Sequence, residues 1–170
     1  MDINELQKAL FDELRYVDDT AQIVLKGHLV AEDLMNKGLR AFLLHEEHLD
    51  KARLGFAQKI ELCRGISLSD NQNNMWNLLQ KINKVRNVLS HSLDPERRQT
   101  VIQSLKSIYD QEFDRSTRIY EGMSEESALC VSAIGGAVGF LHSFVTEVER
   151  FEMLVKEMDK SLNKGALSSD

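Results

Sequence analysis

Apolar positions in this chain recur at helical spacing. Between residues 72 and 91, Met75, Leu78, Leu79, Ile82, Val85 and Leu89 fall on one face when each residue is turned by about 100°. Between 19 and 44, Ala21, Leu25, Met35, Leu39, Phe42 and Leu43 define a second such face. Extended along the chain, the reading predicts six helices, over about 3–15, 19–44, 50–64, 72–91, 96–120 and 125–161. Local signals mark their ends. Asp94-Pro95-Glu96 reads as an N-cap followed by proline in the first turn, and Ser124-Glu125-Glu126 as another helix start. Gly65 reads as a C-cap, Asp70 to Asn74 as a polar turn, and Asn163 to Asp170 as a frayed tail. Short connections between long helices make neighbours antiparallel, so the expected architecture is an all-α, up-and-down bundle of five to six helices, with residues 1–170 forming one domain.

Composition strengthens that reading. A chain of 170 residues with a single proline can build one helical core. Its net charge of -6 repels phosphates overall, so any nucleic-acid binding needs a local basic site. Cys63 and Cys130 have no metal-ligand spacing and sit in apolar surroundings, which predicts buried free thiols. The amphipathic start MDINELQKAL does not read as a signal peptide, and with the thiols it suggests a cytoplasmic protein. Ala128 to Val145 is uncharged, but it carries Ser132, His142 and Ser143 and reads as a buried or interface helix rather than a membrane span. Gly135, Gly136 and Gly139 in that stretch would allow close approach of another helix.

Polar residues at helical spacing carry the candidate chemistry. Gln80, Asn83, Asn87 and His91 form a polar stripe beside the core face of helix 72–91. Arg86 lies four residues after Ile82, at the edge of the core face, and five residues separate it from His91, a turn of about 140° that a long arginine side chain can bridge. In helix 19–44, His28 and Glu32 fall within the apolar face, where a carboxylate requires a cation. Arg86 is the first choice for that cation and Lys59 the second, so the expected cluster joins Glu32 to Arg86 with Lys59 nearby. His45-Glu46-Glu47-His48 lacks the spacing of a zinc-protease helix, and no histidine follows a glutamate at the di-iron spacing. Phosphate-binding glycine loops and nucleophile elbows are also missing from the chain.

Arg86-Asn87-Val88-Leu89-Ser90-His91 resembles the RX4-6H motif of the HEPN superfamily, in which a polar residue commonly follows the arginine. Two upstream segments resemble the same group: Phe56-Ala57-Gln58-Lys59 and His28-Leu29-Val30-Ala31-Glu32. The likeness extends over roughly residues 20 to 115 and leaves out the first and last helices. It departs from the toxins that pair with a nucleotidyltransferase antitoxin, where a tyrosine often stands two residues after the histidine; here that residue is Leu93.

The resemblance implies a HEPN-like bundle and a metal-independent endoribonuclease without cofactor, working as a homodimer and leaving 2′,3′-cyclic phosphate ends. Its setting would be a toxin or phage-defence system, with RNA as substrate, an antitoxin or other protein as a further partner, and no membrane. Arg86, Asn87 and His91 would be catalytic, with Glu32, Lys59 and His28 supporting them and Lys81 and Lys84 holding RNA. Histidine suits the proton transfers and arginine the developing negative charge. From Lys81 to Arg98 five basic residues face two acids, enough for a local basic patch. The alternative is a non-catalytic regulatory or partner-binding protein resembling the mannitol operon repressor group, with Arg86, Asn87 and Glu32 as a structural polar lock.

Overall fold

Hydrophobic burial assembles the predicted helices into an all-α bundle. The computed structural model describes residues 18–68, 73–113 and 122–163. Among them six helices follow in order: α1 (Asp19–Phe42), α2 (Glu47–Ala52), α3 (Phe56–Ile66), α4 (Asn74–His91), α5 (Pro95–Glu112) and α6 (Glu125–Leu162). The expected helix 3–15 lies outside the described residues, as does 114–120 of the expected helix 96–120.

Helix ends follow their capping chemistry. Asp94 accepts from the N–H groups of Glu96 and Arg97, with Pro95 in the first turn of α5. Ser124 accepts from Ser127 N–H and starts α6. The expected helix 50–64 is in fact two, because Arg53 adopts a left-handed conformation at φ 48 and ends α2 before Gly55 opens α3. Gly65 is not a cap; α3 runs through it to Ile66, and Ser67 ends the helix.

The α1–α6 seam is the tightest contact. The two helices run in the same direction: Thr20 bonds Ser127 at 2.7 Å near their starts, and Lys37 pairs with Glu149 at 3.0 Å near the end of α1. The buried stripe of α1 is Val24, Gly27, His28, Ala31, Met35, Gly38 and Leu39. The expected face included Leu25, Phe42 and Leu43, but these are exposed. Glycine explains the rotation, since its missing Cβ admits α6 where hydropathy alone gives no signal. A Cβ on Gly27 would sit 2.6 Å from Ile134, and one on Gly38 2.5 Å from Phe144.

On the other side of α1 pack α3 and α4. Met75, Leu78, Leu79, Ile82 and Val85 are buried as their spacing predicts, and Trp76 joins them with its ring edge-on to Phe140 and Phe144. Cys63 and Cys130 are free and buried, and burial pushes both thiols up to about 12. Length and composition would allow α6 to cross a membrane, but in the bundle its apolar face from Leu129 to Val148 packs into the core.

Candidate functional site

A cleft of about 420 Å³ opens between α1, the start of α3 and the second half of α4, lined by His28, Glu32, Phe56, Asn83, Arg86 and Asn87. Three helices each bring one polar segment to it. On α1, His28 and Glu32 are four residues apart and so point the same way. Asn83, Arg86 and Asn87 share a face of α4 by the same rule. α3 contributes its N-terminal turn, where Gly55 supplies no capping side chain and Gln58 Oε1 accepts from Gly55 N–H at 2.8 Å. Helix starts present unpaired N–H groups and a partial positive charge, both suited to an anion.

His28 is held most firmly. It is 5% exposed, its ring stacks on Phe56 at 3.8 Å and 24°, and its Nε2 lies 3.2 Å from Asn83 Oδ1. Burial pushes its pKa below the ordinary histidine value. The Asn83 hydrogen bond and the Glu32 charge oppose that shift, while Arg86 and Lys59 add to it. A neutral imidazole with Nε2–H donating to Asn83 leaves Nδ1 as an acceptor beside the cleft.

Glu32 has its cation, but it is the second choice from the sequence. Lys59 Nζ lies 2.6 Å from Glu32 Oε1, with the side chains 12% and 28% exposed. No Glu32–Arg86 ion pair forms among the described residues. Lys59 wins because α3 runs alongside α1, with Phe56 at the level of His28 and Cys63 at that of Met35. One helical turn beyond Phe56, Lys59 then meets Glu32. Arg86 instead donates to the Asn87 amide oxygen at 3.0 Å, and its Nε is buried without a partner among the described residues. It meets no carboxylate there, so its positive charge remains directed into the cleft.

The remaining sequence-selected residues lie elsewhere. His91 is exposed one turn beyond Asn87 and does not line the cleft; Lys84 is exposed and Lys81 half-buried on α4. Gln80, the first member of the polar stripe, donates to Glu61 of α3 at 2.7 Å. Sequence reasoning missed a second polar cluster. Arg98 bridges Asp18 and Glu126, the latter at 2.7 Å, and ties the starts of α1, α5 and α6 together. Charged residues in the first turns of three helices were its only sequence signal. Burial alone would raise the Asp18 carboxyl, but the Arg98 hydrogen bond, the Ala21 N–H and the Arg98 charge hold it below the usual value. The neighbouring cavity of about 460 Å³ also includes Lys26 and Ser124, but its Arg98 and Asp18 are committed to each other. Among the described residues no group of histidine, cysteine and carboxylate side chains could hold a metal.

No protein-family model, curated protein or solved structure matches this chain.

Proposed function

We propose that this chain is a HEPN-type, metal-independent endoribonuclease that acts as a homodimer, in a toxin or phage-defence setting. The observation that carries the reading is the cleft: a guanidinium without a carboxylate partner, two amides and a neutral buried imidazole converge beside a helix start whose N-cap is a glycine. Such a surface suits a phosphodiester, which needs fixed positive charge and donors but no acid facing it. Glu32 does not spoil it, because Lys59 neutralises its carboxylate.

In this reading Arg86 binds the scissile phosphate and Asn87 orients it. His91 supplies a proton acceptor and donor open to solvent. Cleavage requires a base at the ribose 2′-oxygen and an acid at the departing 5′-oxygen, forming the 2′,3′-cyclic phosphate and a 5′-hydroxyl. One His91 cannot hold both posts in one step, and two copies meeting at this face would supply both. His28 holds Asn83 in the cleft lining beside Arg86, and Lys81 and Lys84 attract flanking phosphates. The test is RNA cleavage in EDTA by wild type and His91→Ala, with analysis of the ends. Cyclic phosphate ends from wild type and silence from a folded variant are expected. Intact RNA with wild type, alone and with candidate activators, overturns the reading.

One observation favours the regulatory alternative: His91 stands outside the cleft, and His28 within it is already hydrogen-bonded. A non-catalytic, mannitol-repressor-like protein would use the cleft as a polar lock. His91→Ala would then change neither stability nor partner binding, whereas Arg86→Ala would impair both.

A further inference from the structure

α6 is longer than the bundle that holds it. Its last buried residue is Val148, and none of residues 149–162 is buried, so about 21 Å of helix extends beyond the end of α1. This segment keeps an apolar stripe. Phe151, Leu154, Val155, Met158 and Leu162 recur at spacings of three, one, three and four, and are 43% to 78% exposed. The stripe continues the buried line of Leu141, Phe144 and Val148, so it is a core-type face without a core.

At its base lies an apolar groove of about 260 Å³, lined by Phe42, Ile66, Leu68, Val148 and Phe151. Leu68 in its lining is 75% exposed. Stripe and groove thus adjoin at one end of the molecule.

Of the given residues outside the described ones, those before Asp18 start far from this stripe and those after Asn163 are mostly polar. The seventeen residues before Asp18 join at the far end of α1, whose 24 residues span about 36 Å. Fully extended they reach about 58 Å, of which about 36 Å is used before the stripe begins. The seven residues after Asn163, Lys164 to Asp170, contain only Ala166 and Leu167 as apolar side chains. Charge narrows the occupant. The polar side of the segment mixes Arg150, Lys156 and Lys160 with Glu149, Glu152, Glu157 and Asp159, and Lys156 pairs with Glu152 at 2.5 Å. A mixed surface lacks the basic excess that holds a helix on an anionic membrane, and it builds up no repulsion against its own kind.

We propose that residues 149–162 are a self-association helix that packs antiparallel on the same segment of a second copy. A two-fold axis between Val155 and Met158 sets Phe151 of each copy against Leu162 of the other. Each helix end then reaches the partner's Phe42–Leu68 groove, so both apolar features are covered by one closed, isologous contact. The parallel arrangement leaves both grooves open and brings the two bundles side by side. This interface differs from the one in the ribonuclease reading and does not depend on it. Arg98, just beyond the end of α4, meets Asp18 at the start of α1, which places His91 at the opposite end of the bundle.

The experiment is sedimentation of the full chain across a concentration series, in wild type and Leu154→Glu/Met158→Glu. A contact of this length lies at the small end of stable interfaces, so wild type should show a micromolar association step of its own, separate from any dimer formed at the cleft face. The variant, with an unchanged circular dichroism spectrum, should weaken it at least ~100-fold. A second measurement fixes the direction: Leu162→Cys/Leu68→Cys should form an intermolecular disulfide and Leu162→Cys alone should not. A wild type that stays monomeric overturns the proposal, whether or not it binds lipid vesicles. So does an association state that the two glutamates leave unchanged at every concentration, which would belong to the cleft face alone.

Discussion

One helix, α1, builds two unlike interfaces from adjacent residues. Toward α6 it presents Gly27, Ala31 and Gly38, and the contact is one of shape: Ile134 and Phe144 fill the space that a Cβ would take. Toward α3 and α4 it presents His28 and Glu32, and the contact is one of matched charge and hydrogen bonds, to Asn83 and Lys59. The first interface leaves no room for chemistry, whereas the second stays partly open and keeps a cation in reserve. A close-packed seam can therefore fix the backbone of α1 while its other side carries polar groups that no core would choose for stability.

The largest effects should come from the seam. Phe144 is buried against Gly38 and edge-on to Trp76, so Phe144→Ala should cost ~3–5 kcal/mol in urea unfolding. Gly38→Ala forces the Phe144 ring aside and should cost ~1–3 kcal/mol. The two act through one contact. In a double-mutant cycle Gly38→Ala should therefore lose most of its cost once Phe144 is alanine. Additive costs would show that the seam does not depend on this close approach.

The cleft should respond less, and differently. Lys59→Met leaves Glu32 without its cation, but Glu32 remains partly exposed, so about 1–2 kcal/mol is expected after allowance for solvent screening. Lys59→Met/Glu32→Met should recover most of that loss, because no charge is then left behind. An unrecovered loss would mean that the pair does more than satisfy Glu32.

These contrasts also separate what the sequence could reveal from what it could not. The core stripe of α4 was legible because large apolar residues repeat at helical spacing, and Met75 to Val85 are buried accordingly. The face of α1 was misjudged by about one residue because glycines carry no hydropathy while they determine where α6 approaches. For Glu32 the demand for a cation was legible, but its partner depended on the direction of α3, which residues 53–55 set after α2. Arg86, Asn87 and His91 could be picked out by their resemblance to a known motif, yet only the fold places His91 outside the cleft that holds the other two.

Acid should distinguish the cleft further. Burial holds the folded His28 below its ordinary value, so between the folded and unfolded pKa the unfolded chain binds more protons. Stability therefore rises with pH through that window and falls as pH drops below about 6.5, the unfolded value. Asp18, also held below its ordinary value, loses its contribution only at lower pH, as pH falls through its folded pKa. His28→Gln should flatten the upper part of the acid limb and leave the lower part to Asp18. An unaltered slope between pH 6.5 and the carboxylate range would place the titrating group elsewhere.

The smallest effect tests the seam from its outer side. Gly135 lies on the same helix as Phe144, but a Cβ there meets nothing within 4 Å, and the residue is exposed. Gly135→Ala removes backbone freedom from the unfolded chain without filling occupied space, so it should stabilise by ~0.5–1 kcal/mol. Gly136, the next residue, faces the Phe113 ring at 2.6 Å, and its alanine variant should have the opposite sign. Neighbouring glycines would then differ in sign through their surroundings alone, as Gly38 and Gly135 do across the seam. If Gly135→Ala is destabilising instead, something packs on the outer face of α6, and the comparison would have to treat both sides of that helix as interfaces.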